Sequence, residues 1–217
     1  MVRPLDKIIE AEREIMEIES KYQKYAAAIR NALEYIKNLD DEESIQLFKY
    51  LMNTMESIPT LIIEFKSDIL DIIGSVAAEA ETLKIKALIY ENHKYKDLRE
   101  KFIQNFRRGL KELTKKEGLL KLNNLYYLIL YGKIPLQDLD KYLEKIRDRA
   151  PDLDQETQIK YARQEAAREY LGVIIKGLLI DPIKYEPLYK QLIKTGNLKE
   201  FFEYLQEEYE NLIPKKT

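Results

Sequence analysis

The 217-residue chain has no cysteine, one histidine, and only seven glycines and seven prolines. Without cysteine there is no disulfide, no thiolate metal site and no thiol nucleophile. A single histidine, His93, excludes a multi-histidine metal centre within one chain. So few glycines and prolines leave little room for the many turns of an all-β fold. No apolar run approaches the roughly 18–20 residues of a membrane span. The start, Met1-Val2-Arg3-Pro4-Leu5-Asp6, passes into helical sequence without a signal-peptide core, so the expected setting is the cytoplasm and no membrane association is predicted. The phosphate-loop pattern, the dinucleotide glycine pattern and the serine-elbow pattern are also missing, which removes sequence support for those chemistries.

What is abundant is charge and helix-forming sequence. Charged residues make up 34% and apolar residues 45%, giving a globular protein with a heavily charged exterior. The formal net charge of −2 carries no information about a polyanionic partner. The richness in Lys, Glu, Ile and Tyr, with cysteine missing, fits a thermophile.

The first forty residues hold a heptad without a break. Ile8, Ile15, Tyr22, Ile29 and Ile36 occupy one position, with Ala11, Ile18, Tyr25, Ala32 and Leu39 three residues later. Sustained apolar heptads predict a coiled-coil-like helix, here from about Leu5 to Leu39 and about 50 Å long. After the acidic turn Asp40-Asp41-Glu42-Glu43, a second heptad passes through Phe48, Met55, Ile62, Ile69 and Val76. Its phase continues past Pro59, which predicts one kinked helix and not a loop. The two seams, Ile8–Leu39 and Ile45–Val76, have equal length. Equal seams joined by a short turn predict an antiparallel hairpin with residue n opposite residue 84 − n, so that Tyr22 faces Ile62 and Ile29 and Ile69 are buried. Small residues at Ala77, Ala80 and Ala87 predict a close approach by a further helix.

A break is expected at Glu91-Asn92-His93-Lys94, followed by an amphipathic helix through Leu98, Phe102, Phe106, Leu110 and Leu113, with Gly118 after its end. Leu119–Tyr131 reads as a buried helix closed by Gly132. Pro135 opens the next helix. Asp152 or Asp154 caps a long one from Gln155 to about Leu179, and Pro182 starts another that Gly196 stops. Asn197 to Glu200 reads as a capping box for a last helix burying Leu198, Phe201, Phe202, Leu205 and Tyr209. The fold class is therefore all-α: a long antiparallel hairpin with a basic helix over residues 1–117, then a compact helical bundle over 118–217.

Charge is unevenly placed: residues 1–83 carry net −8, residues 84–121 net +7 and residues 122–217 net −1. The basic block interleaves its cations with Tyr90, Tyr95, Phe102 and Phe106, the combination that single-stranded nucleic acid binding uses. Lys94, Lys101, Arg108 and Lys115 are each seven apart and would form one cationic stripe on a helix, the candidate nucleic-acid-binding residues. The plainer reading is a solvated face, or a block docked on the protein's own acidic first third or on a partner's. The carboxylate pairs Glu14/Glu17 and Asp68/Asp71 have the spacing of a Mg²⁺ site, but all four fall off the seam, which argues against one. His93 lies beside the expected break, with no arginine just before it. The chain thus reads as a non-enzymatic interaction or scaffold protein with no cofactor and no metal, binding a protein partner and open to self-association. The alternative is a nucleic-acid-binding protein using residues 84–121.

Overall fold

The computed structural model of the protein describes residues 4–90, 93–133, 139–197, 200 and 203; within its helices the side chains of 4–15, 17, 18, 87, 88 and 90 lie outside that description. The described residues are helical, without a strand. Among the described residues eight helices follow in order: α1 (Pro4–Lys37), α2 (Glu42–Glu56), α3 (Ile63–Tyr90), α4 (His93–Leu113), α5 (Lys116–Leu130), α6 (Leu139–Arg149), α7 (Gln155–Ile180) and α8 (Pro182–Thr195). None is long and apolar enough to cross a membrane among the described residues.

The second heptad does not form one helix. α2 ends at Glu56, and residues 57–62 form a non-helical turn around Pro59 before α3 starts. Proline has no N–H to continue the ladder, and the turn is held from outside. The Asn123 side chain on α5 accepts the Ile62 N–H at 2.9 Å and donates to the Thr60 carbonyl at 3.2 Å.

This break changes the pairing of the first helix. α1 packs chiefly against α3, not α2. Lys21 pairs with Glu64 at 3.0 Å, Ala32 abuts Gly74, and Asp40 pairs with Lys84 at 2.6 Å. The offset stays near 43 positions from one end to the other, so α1 and α3 run parallel, with α2 as the returning segment. The expected antiparallel register, n opposite 84 − n, is not the one formed. Heptad phase alone does not distinguish the two directions, and the turn at Pro59 reverses the chain once more. The buried face of α1 also turns. Tyr25, Ala28, Ala32, Ile36 and Leu39 are buried, Ile29 is half-buried, and Tyr22 is 61% exposed. At Gly74 an added Cβ would come within 3.2 Å of the Ala32 Cα, so small residues on both helices set a close approach.

α3 is the central element. It contacts α1, α4 and α7, and Phe65, Ile69, Leu70, Ile73, Val76, Ala77 and Ala80 are buried around most of its circumference. A helix enclosed on several sides needs apolar residues around most of its girth, not along one stripe. α4 and α7 cross closely at Gly109, where a Cβ would lie 2.7 Å from the Leu179 Cα. α6 and α7 form an antiparallel hairpin: Arg149 pairs with Glu165 at 2.8 Å, and the Tyr142 and Tyr170 rings meet edge-on at 6.2 Å. The hydrophobic core is continuous from Tyr25 on α1 to Leu192 on α8, with residues from both sides of position 118.

Several local signals act as expected. Asp154 caps α7 by accepting the Thr157 N–H at 2.9 Å. Pro182 opens α8, and Gly196 closes it at φ 67°. Gly132 at φ 66° ends α5 in a Schellman motif: its N–H reaches the Ile129 carbonyl and the Lys133 N–H reaches that of Leu128. Asn197 accepts the Glu200 N–H at 3.3 Å, as a capping box requires. Gly118, by contrast, does not end a helix. The break falls at Thr114–Lys115, and Gly118 lies inside α5, where a Cβ would strike the Tyr189 hydroxyl. The expected last helix through Phe201, the break at Glu91-Asn92 and the helix start at Pro135 lie outside the described residues.

Candidate functional site

The basic helix α4 packs against the corner where α1 turns into α2. That corner is the acidic segment Asp40–Glu43. Asp41 caps α2 by accepting the Ser44 N–H at 3.0 Å, and its two carboxylate oxygens also take the Arg107 guanidinium in a forked pair, with Nε at 2.8 Å. Arg107 reaches Glu43 as well, at 3.0 Å. Hydrogen bonding from Arg107 holds the Asp41 carboxyl below the usual carboxylate range, although burial opposes the shift. Asp40, in the left-handed region at φ 55°, pairs with Lys84, whose hydrogen bond lowers its carboxyl too. Arg99 donates to the Leu39 carbonyl, placing a cation just past the C-terminal end of α1. A cleft of about 470 Å³ lies here between Asp40, Lys84, Lys96, Arg99 and Gln104.

The stripe of four cations is divided by the fold. Lys94, Lys101 and Arg108 lie exposed along α4, but Lys115 is outside it, as the residue preceding α5. Arg108 is paired with Glu186 of α8 at 2.8 Å, and Lys115 with Glu112 at 2.6 Å. Of the aromatics between these cations, Phe106 is fully buried and Phe102 packs beside it at 6.4 Å between centroids, so neither ring is presented to a base. His93 is exposed at the start of α4.

Beyond Lys84, α3 outruns its neighbour. α1 ends at Lys37 and its turn is fastened to Lys84 through Asp40, so the last turns of α3 have no α1 beside them. Ile85 and Ile89 are four residues apart on one face, 48% and 67% exposed. Leu98, in the second turn of α4, is also exposed, as are Lys86 beside Ile85 in the chain and Lys96 on α4.

The other notable group is Asp68. Arg168 of α7 pairs with Asp71 at 3.1 Å and with Asp68 at 3.5 Å. Asp68 is 4% exposed, and the Tyr126 hydroxyl donates to its Oδ2 at 3.2 Å. Burial pushes the Asp68 carboxyl up to about 6, against the lowering effect of Arg168, Lys24 and the tyrosine hydrogen bond. No group of three acidic, histidine or cysteine side chains able to hold a metal ion occurs among the described residues, and the side chains of Glu14 and Glu17 lie outside them.

Sequence reasoning offered the docking of the basic block on the acidic first third as one reading, without naming the Asp41–Arg107 pair, and did not find the burial of Asp68 or the exposed Ile85–Ile89 face. The signal for the first was present as adjacent blocks of opposite net charge. The signal for the third was apolar residues at 85 and 89, off the heptad seam that runs through Ile69 and Val76. For Asp68 there was no local signal, because its burial is created by α5 and α7. Comparison with protein-family models, curated proteins and solved structures finds no match to this chain.

Proposed function

We propose that this protein is a helical interaction protein, without enzymatic activity, that binds an acidic amphipathic segment of a partner at the α3–α4 end. The observation that carries this reading is the exposed pair Ile85 and Ile89, left uncovered where α1 stops short of α3. Scattered exposed apolar residues are ordinary, but two on one face of one helix, four residues apart, are the spacing at which an amphipathic partner helix is anchored. Lys86, next to Ile85 in the chain and exposed, favours acidic flanks on that segment. The test is cross-linking and capture from nuclease-treated extract of the native host, comparing the wild type with an Ile85→Glu, Ile89→Glu double variant. Both positions are solvent-exposed, so the variant keeps its circular-dichroism melt. Loss of a captured protein with the melt intact supports the proposal, and identical capture profiles refute it.

The second reading, nucleic-acid binding through Lys94, Lys101, Arg108 and Lys115, draws on the exposure of the first three along α4. It predicts steeply salt-dependent gel shifts that vanish when all four are changed to Glu. The ion pairs of Arg108 and Lys115 weigh against it.

A further inference from the structure

The face of α5 turned toward the core carries Leu119, Leu122, Leu125, Tyr126 and Ile129, yet its opposite face is apolar as well. Leu120, Tyr127 and the cap residue Tyr131 fall on one stripe of the helix by their spacing. They are 37%, 44% and 57% exposed, and the Tyr127 and Tyr131 rings lie together with centroids 4.5 Å apart. The outward face of a surface helix is ordinarily charged and polar. Here residues 118–137 contain no acidic side chain, while Lys121 and Lys133 are exposed and form no ion pair among the described residues. A third cation stands at the end of the stripe. The Arg163 guanidinium of α7 rests against Gly132, the residue after Tyr131, in space that a Cβ would fill. It makes no hydrogen bond or ion pair among the described residues, and none of its nitrogens is closed off from solvent. A guanidinium held in place with its donors open to water is ready to take an anionic oxygen.

We propose that this face of α5 binds single-stranded nucleic acid, with bases stacked on Tyr127 and Tyr131 and adjacent phosphates held by Arg163 and Lys133. Stacking needs flat rings open to solvent, and every base offers a π-face to them. The phosphate backbone needs cations and is repelled by carboxylates, and an acid-free run that carries lysines meets both conditions. An acidic peptide would use the cations alone and leave the two rings without a role. The site is separate from the cationic stripe of α4, whose rings Phe102 and Phe106 belong to the core, and it does not rest on docking at Ile85 and Ile89.

Fluorescence anisotropy of the full chain with labelled oligothymidylate at low salt tests this. The oligonucleotide binds with a Kd below about 100 μM, and log affinity falls against log salt with a slope of about −1.4, from about −0.7 for each of two phosphates. Changing Tyr127 and Tyr131 together to Ala weakens binding at least about tenfold, as the loss of two stacked bases requires. Tyr127→Phe with Tyr131→Phe keeps both rings and keeps the wild-type Kd. Both positions are exposed, so both double variants retain the circular-dichroism melt. Arg163→Gln makes the salt slope shallower by about 0.7. The proposal is overturned if oligothymidylate does not bind, if the double alanine variant binds it as tightly as the wild type, or if polyglutamate binds as tightly as the oligonucleotide.

Discussion

Asn123 stands in for the backbone partner that Ile62 lost when the chain turned at Pro59. Its Oδ1 accepts the Ile62 N–H at 2.9 Å while its Nδ2 donates to the Thr60 carbonyl at 3.2 Å, so one side chain on α5 holds the second half of the turn. Asn123→Ala leaves both groups without that partner in a partly buried place. Stability falls by about 1–3 kcal/mol, read from urea melts, and the Ile62 amide exchanges faster with solvent. An unchanged urea midpoint would show that water replaces the side chain at no loss.

Gly109 tests the α4–α7 crossing. In an isolated helix, Gly→Ala stabilises by about 1 kcal/mol. Here the new methyl would lie 2.7 Å from the Leu179 Cα and closer still to the Leu178 carbonyl oxygen, both parts of a backbone that cannot step aside alone. Gly109→Ala is therefore expected to lose about 1–3 kcal/mol in a chemical melt, as overpacked cores do. A gain would mean that the helices separate freely.

Asp68 gives a pH dependence of definite sign. Its carboxyl rises from 3.8 to about 6 on folding, so the folded protein holds the proton more tightly than the unfolded chain. The group favours folding most below about pH 4, loses that contribution as pH rises through about 6, and is level above. The gap corresponds to about 3 kcal/mol as an order of magnitude. Asp68→Asn removes this slope and keeps an acceptor for Tyr126. Its stability relative to the wild type should be higher at pH 7.5 than at pH 4, measured by urea melts at both. A constant difference would contradict the assignment.

Asp41 has the opposite sign. Its carboxyl is lowered by Arg107 and by the Ser44 cap, so its contribution is present above the unfolded value of 3.8 and disappears as pH falls through the lower folded value. Asp41→Asn should cost about 2 kcal/mol near neutral pH, through the lost charged pair and a weaker cap. The two proteins converge in strongly acidic buffer. Equal melts at pH 7 would show that the Arg107 pair adds nothing.

The sequence by itself determined the all-helical class and most local punctuation. A proline or glycine acts on the few residues around it, and so Pro182, Gly132, Gly196 and the Asp154 cap were legible without any partner. It also determined that residues 28–39 and 65–80 carry faces that must be buried. Only the tertiary structure decided what covers them. A heptad specifies an apolar stripe but not the direction of its neighbour, and Ala32 against Gly74 permits a parallel α1–α3 contact that equal seam lengths do not distinguish from a hairpin. Pro59 breaks the chain because Asn123, 61 residues beyond Ile62, is there to hold the turn. The same holds for the sites. Lys94, Lys101 and Arg108 were visible as a stripe, whereas the burial of Asp68 and the exposure of Ile89 depend on where α5, α7 and the end of α1 come to rest. Solvent exclusion is a property of assembled helices, and no local pattern encodes it.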